Sequence, residues 1–172
     1  LGGLIGDFVE LLQATISKKG TFLTVADEFH ILNNYVHLQE FRYQGSFCVR
    51  YEMEEGAGGC YIPRLILQPL VENAILHGID MKEKNGEIIL RAKLEQDRLR
   101  LFVIDNGRGM TKEQIDTLLH SKAKKTNGLS AIGVPNIKER LELYYGDKGG
   151  MVYQSSENGT TVEIFLPAKK EL

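Results

Sequence analysis

The residues Asp105-Asn106-Gly107-Arg108-Gly109-Met110 close an apolar run, Leu101-Phe102-Val103-Ile104. A carboxylate at a strand end, followed by two glycines, presents an acceptor beside a backbone that a flat ligand approaches closely. The amino group of adenine is a donor suited to it, and a hydrogen bond to an ionised partner contributes about 1.5–3 kcal/mol. The same residues also make an ordinary strand-ending turn, because Asp-Asn-Gly is common turn chemistry, and the motif alone does not choose between the two. It is not a Rossmann fingerprint, since the third glycine and the immediate helix are missing, and the chain has no Walker A loop.

A second cluster is Glu72-Asn73-Ala74-Ile75-Leu76-His77-Gly78. Asn73 and His77 are four apart and share one face of a helix. An amide oxygen is a neutral, hard ligand that suits one place in a magnesium octahedron otherwise filled by water and phosphate; it is equally an exposed helix amide. His77 either donates to a phosphate or ends the helix beside Gly78, where a cationic ring is favourable. A third cluster is Ala131-Ile132-Gly133-Val134-Pro135-Asn136. The amides of Gly133 and Val134 at a helix start form an anion site, and Pro135 presets the first turn. Upstream lie Lys122, Lys124 and Lys125, which either close on phosphate charge or form a solvated lysine run.

The elements that must position these groups follow from periodicity. Leu4, Ile5, Phe8, Val9, Leu11, Leu12 and Ile16 recur at helical spacing up to Lys18-Lys19-Gly20, and a second helix is expected from about Val25 to Tyr43, with Asp27 and Glu28 in its first turn. The two make a helical hairpin. After Gly45 the period becomes two, giving a strand Phe47–Met53 that stops at Gly56-Ala57-Gly58-Gly59. A helix is expected over Pro63–Gly78, bent or restarted by Pro69. Strands 87–94 and 98–105 come next, then a polar, partly helical excursion over 111–130, a helix 135–145 and a closing hairpin, 151–156 and 160–166, around Glu157-Asn158-Gly159. The fold class is α+β: a mixed, mostly antiparallel sheet of about five strands with about three helices on one face, preceded by the hairpin. The expected division is 1–44 for linker helices and 45–172 for the main domain.

Composition narrows the possibilities. The 172 residues are 42% hydrophobic and 26% charged, enough for one well-buried domain. Lys+Arg 21 against Asp+Glu 23 gives a formal charge of −2, so no basic field supports nucleic-acid binding. Cys48 and Cys60 lack the spacing of a zinc site or a disulfide framework and read as buried thiols of a reducing compartment. No apolar run approaches the roughly 18 residues of a membrane span. The start lacks a basic signal region and an initiator Met and falls inside an amphipathic pattern, so a fragment of something longer is expected.

Taken in order, an asparagine helix, Asp-x-Gly-x-Gly after a strand, a flexible lid, a glycine-led helix and Gly159-Thr160-Thr161 on a last strand resemble the Bergerat ATP fold of gyrase, MutL, heat-shock chaperones and histidine kinases. The run Ile62-Pro63-Arg64-Leu65-Ile66-Leu67-Gln68-Pro69-Leu70-Val71-Glu72-Asn73-Ala74 is similar to the N box and its approach in LytS/YesM-type sensor histidine kinases. The likeness extends back through Glu28, Asn34-Tyr35 and Gln39 to Arg42, which resemble the helix linking dimerisation and catalytic domains in that family. It implies ATP and Mg²⁺ as cofactors, Asn73 on Mg²⁺, Asp105 on adenine and close approach at Gly107 and Gly109 beside Met110. It further implies that His77, Lys125, Gly133 and Val134 meet phosphates and that Thr161 lines the adenine pocket. The implied activity is transfer of the γ-phosphoryl group to a histidine, with relay to a response-regulator receiver domain. The implied setting is the cytoplasmic part of a membrane sensor, a homodimer through its own dimerisation helices.

The sequence also departs from that pattern. No Asn-Pro-His-Phe motif is present, so the phosphoacceptor is expected upstream of these residues and not among His30, His37, His77 or His120. Leu76 replaces a basic residue of many relatives, Ala131 replaces the first glycine of the lid-end box, and Pro69 stands where gyrase and MutL carry a water-activating Glu. Efficient hydrolysis to ADP is therefore not expected. The other reading is a nucleotide-dependent binding protein of the anti-sigma-factor type, whose Asn-Ala-Ile-x-His-Gly stretch is close to residues 73–78.

Overall fold

The computed structural model describes residues 2–16, 20–120 and 133–172. Helices α1 (Gly2–Ile16) and α2 (Val25–Tyr43) pack side by side, joined by Asn34 Nδ2 donating to Glu10 Oε2 at 2.7 Å and by His37 Nδ1 to Asp7 Oδ2 at 3.2 Å. Between them, β1 (Phe22–Thr24) pairs antiparallel with β3 (Tyr61–Pro63). Thr24 caps α2, its hydroxyl accepting from Asp27 N–H at 3.2 Å. Glu28, by contrast, turns away from solvent and is fully buried.

The main sheet runs β2-β4-β5-β7-β6, with β2 at Phe47–Met53, β4 at Gly86–Glu95, β5 at Arg98–Asp105, β6 at Gly150–Ser156 and β7 at Gly159–Pro167. Only β2 and β4 pair in parallel; the other neighbours are antiparallel. One face carries Ile88, Leu90, Leu99, Leu101, Val103, Ile164 and Leu166, all buried with Leu70 and Val71 of α3 (Gln68–Asn73) and Ile137 and Leu141 of α5 (Val134–Tyr145). Each such side chain contributes about 1.5–3 kcal/mol on leaving water, so this layer fixes α3 and α5 over the sheet. Val25, Phe29, Leu32 and Val36 of α2 belong to the same core. The opposite face is half-exposed and carries the ion pairs Arg50–Glu87, Arg91–Glu52 and Arg100–Glu163.

Two expectations need correction. The helix expected over 63–78 is much shorter, because Pro63 ends β3 and α3 begins only at Gln68 with Pro69 in its first turn, where a missing amide hydrogen costs no hydrogen bond. Cys48 is exposed, because it lies on the outward-facing side of β2, while Cys60 is buried in the turn before β3. The partly helical excursion expected after residue 110 does contain a helix, α4 (Lys112–His120), started by a reciprocal cap: Thr111 Oγ1 accepts from Gln114 N–H and Gln114 Oε1 accepts from Thr111 N–H. Lys122, Lys124, Lys125 and Ala131 lie outside the described residues.

Candidate functional site

β5 is the central strand of the sheet, and Asp105 is its last residue, opposite Ile88 of β4 and Thr160 of β7. Its side chain is 8% exposed. Gly107 N–H at 2.9 Å and Thr160 N–H at 3.3 Å both donate to Oδ1; neither reaches Oδ2. Burial pushes the carboxyl above the ordinary aspartate range, and the two backbone donors oppose that shift without cancelling it. The result is a desolvated acceptor held from one side and aimed from a rigid strand end.

The loop after β5 is fixed at three seams. Asn106 accepts from Glu87 N–H at 2.8 Å and donates to Asn85 carbonyl at 2.9 Å, tying it to the start of β4. Arg108 N–H donates to Gly78 carbonyl at 3.0 Å, and Arg108 Nε to His77 carbonyl at 2.9 Å, tying it to the turn below α3. A Cβ on Gly107 would lie 2.0 Å from the Gly78 oxygen, so no side chain fits there. Gly109 has φ +71 and a Cβ there would meet Ser156 carbonyl at 1.8 Å; beside it Met110 N–H donates to Ser155 Oγ at 2.7 Å. The two glycines thus let the loop touch α3 on one side and the β6–β7 hairpin on the other.

Below this loop α3 widens into a single π turn, Ala74–Gly78, closed by Ile79 N–H donating to Ala74 carbonyl at 2.9 Å. Asn73 and His77, expected on one face of a regular helix, reach the same cavity through this wider turn. The cavity is about 360 Å³, and Asn73, His77, Asp105, Gly109 and Met110 all line it. So do Arg108 and Thr160, which stand in the sequence motifs without a role of their own, and residues that the sequence did not single out: Val162, Tyr153, and Gln114, Thr117 and Leu118 of α4, which forms one wall. The Tyr153 hydroxyl is buried without a hydrogen-bond partner among the described residues. Val103, Val162 and Tyr153 sit side by side across β5, β7 and β6 and make an apolar floor one pleat below the Asp105–Thr160–Ser155 row.

Thr161 does not line this cavity; Thr160 does. Side chains alternate along β7, and because Thr160 pairs with Asp105, Thr161 points to the opposite face with Ile104. Gly107 lies behind the cavity lining, packed on Gly78. Gly133 and Val134 begin α5, where no side chain caps the helix start, and they too lie outside the lining. Among the described residues no group of three His, Cys, Asp or Glu side chains is poised to hold a metal ion. The amide of Asn73 is instead the kind of single neutral ligand that binds a hard cation jointly with phosphate and water.

Comparison with known proteins adds a lineage to this geometry. The family model described as "Histidine kinase-, DNA gyrase B-, and HSP90-like ATPase" matches residues 62–170. A sensor protein LytS of Staphylococcus epidermidis is 32% identical over 147 residues, 86% of this chain and 25% of the relative. The sensor histidine kinase YesM of Bacillus subtilis is 29% identical over 163 residues, 94% of this chain and 27% of the relative. The chain therefore spans about a quarter of the length of these curated relatives. Among solved structures, the catalytic domain of histidine kinase ThkA superposes with a TM-score of 0.63 at 17% identity, covering 86% of this chain and 95% of that one. ThkA in complex with the response regulator TrrA gives 0.60 at 17% identity, covering 97% of this chain and 48% of that one. Both structural likenesses concern the fold.

Proposed function

We propose that this chain, which belongs to the histidine kinase-, DNA gyrase B- and HSP90-like ATPase family, is the ATP-binding catalytic module of a two-component sensor histidine kinase. Its reaction moves the γ-phosphoryl group of ATP to a histidine imidazole nitrogen outside these residues, and the phosphohistidine then serves the aspartate of a response-regulator receiver domain. In this reading residues 1–44 supply linker and dimerisation helices of a homodimer and 45–172 the nucleotide-binding domain. The longer protein is membrane-anchored, with this part in the cytoplasm. The observation that carries the reading is Asp105: a buried carboxylate, backbone-anchored through one oxygen, at the mouth of the same cavity that Asn73 and His77 enter.

Adenine lies on the apolar floor of Val103, Val162 and Tyr153, and its amino group donates to Asp105. The triphosphate leaves toward Asn73, His77 and Arg108, with Gly133 and Val134 amides at the α5 start and Lys125 as further anion donors. Asn73 is the residue that would hold Mg²⁺, which when bound supplies charge neutralisation on the phosphate oxygens. The chain's own contribution is positioning and fixed dipoles, the main requirement of phosphoryl transfer. Pro69, set in the first turn of α3, has no proton-accepting side chain to activate water, in keeping with transfer in preference to hydrolysis. Titration calorimetry tests the core of this reading. Saturable binding of a non-hydrolysable ATP analogue, one per chain and strengthened by Mg²⁺, is expected; no heat of binding up to millimolar nucleotide sinks it.

A further inference from the structure

Glu28, in the first turn of α2, is far from the nucleotide cavity in sequence and is none of its lining residues, yet it is fully buried. Its Oε2 accepts from Leu65 N–H at 3.0 Å and its Oε1 from Leu67 N–H at 3.2 Å. The gripped segment is unusual: Leu65 holds φ +54, a left-handed conformation that a branched side chain adopts only under constraint. From the other side Arg140 of α5 donates through Nη2 to Arg64 carbonyl at 2.6 Å, while its Nη1 is buried without a hydrogen-bond partner among the described residues. Leu67 is the N-cap of α3 and has no capping side chain of its own; its carbonyl starts the helix by accepting from Leu70 and Val71 N–H at 3.1 Å. Six residues on is Asn73.

We propose that Glu28 is a positioning residue for the nucleotide site, the carboxylate through which the placement of helix α2 is passed to residues 64–67 and so to α3 and Asn73. This rests on the nucleotide reading of the cavity. The same four-residue segment is gripped by α2 through Glu28 and by α5 through Arg140, so the helical hairpin and α5 meet on the residues that lead into α3. The charged group acting on Glu28 is Arg140; the approach to α3 presents backbone N–H groups of Leu65, Ile66 and Leu67. Both bonds need the ionised form, because a protonated carboxyl turns a hydroxyl donor toward one of the two N–H donors. Burial raises the Glu28 carboxyl to about 7, so the clamp is half-engaged near neutral pH.

Glu28→Gln keeps the shape but faces one N–H with an NH₂ donor at every pH. Affinity for a fluorescent ATP analogue is measured for wild type and variant between pH 6 and 8.5, with circular dichroism confirming the fold. At pH 8 the variant is expected to bind about three- to tenfold more weakly, the effect of one lost hydrogen bond. The gap closes toward pH 6, as the wild-type clamp protonates, and taking the ratio cancels titration of the nucleotide itself. Equal affinities at pH 8, or a ratio independent of pH, overturns the proposal; the latter is what a purely structural role produces. If wild type binds no nucleotide at all, the cavity assignment has failed instead. Should Glu28→Gln not fold, Arg140→Lys, which keeps the charge but loses the bond to Arg64 carbonyl, is expected to lower affinity in the same direction, and unchanged affinity there also overturns it.

Discussion

Asp105→Asn separates binding from folding more sharply than any other single change. The amide keeps a carbonyl oxygen for Gly107 and Thr160 N–H, the two bonds that anchor the native side chain at 2.9 and 3.3 Å. Its NH₂ then takes the place of Oδ2 and opposes the amino group of adenine, donor against donor. Losing a charge-assisted hydrogen bond removes about 1.5–3 kcal/mol, or roughly 10- to 150-fold in affinity. Stability moves the other way. The carboxyl is raised above its unfolded value by burial, so the stability it contributes is complete only below that unfolded value and declines as pH climbs through the folded one. At pH 7 the native charge is therefore a cost, and its neutral replacement is expected to melt no lower than wild type. Calorimetric titration with ATP analogue, paired with thermal unfolding, reads both quantities. Wild-type affinity in a folded variant refutes the adenine contact; a lower melting point refutes the account of a carboxylate kept at the expense of the fold.

Asn73→Ala is expected to retain nucleotide binding in EDTA but to lose about tenfold of the gain on adding Mg²⁺, measured as the ratio of the two dissociation constants; an unchanged ratio rejects the ligand role. Gly109→Ala places a Cβ 1.8 Å from Ser156 carbonyl at φ +71, whereas Gly146→Ala, at φ +57, meets nothing within 4 Å. Chemical denaturation is expected to show the first losing well over the roughly 1–3 kcal/mol of backbone strain alone and the second no more than that. For pH, the Glu28 carboxyl rises from 4.5 to about 7 on folding, so its contribution to stability is full below pH 4.5 and is lost, by about 3 kcal/mol, as pH climbs from there through the folded value near 7. Denaturation midpoints at pH 5 and 8 are expected to differ less in Glu28→Gln than in wild type.

Much of the site is visible in the sequence because its motifs are local. Asp105-Asn-Gly-Arg-Gly marks a strand end whatever surrounds it, and Asn73 with His77 reach one cavity as their spacing implies. The places where the sequence misleads are those where tertiary context decides. Hydrophobic periodicity continues without a break from Ile62 to Ile75, yet residues 61–63 are drawn off to pair with β1, and the helix must wait for Gln68. Thr161 was one position from the answer, since parity along a strand depends on a register that only the pairing of Asp105 with Thr160 sets. Glu28 reads as a residue favouring its own helix dipole; that it caps a different segment 37 and 39 positions away cannot be seen in any window of the chain. The excursion after residue 110 reads as partly helical from its composition, and the exact start of α4 is set by the reciprocal cap between Thr111 and Gln114.

The glycine spacing has a physical reason once the segments are seen together. Asp105 must be buried to be a strong acceptor and yet be left open on one oxygen for a ligand. A bulky surround would satisfy the first condition and defeat the second. Backbone resolves the conflict, because it is thin and carries its own donors. The Gly78 backbone approaches so closely that a Cβ there would sit 3.2 Å from the Asp105 carboxyl carbon, and Gly107 closes over Gly78 in turn. The carboxylate is thus desolvated by main chain from α3's turn and from its own loop, with Thr160 N–H supplying the remaining anchor. A side chain at Gly107 would push the Gly78 turn outward and carry Asn73 away with it, whereas one at Gly78 would crowd the Asp105 carboxylate itself. Asp105 and Asn73 are therefore not independent features: the contact that buries the one sets the distance to the other.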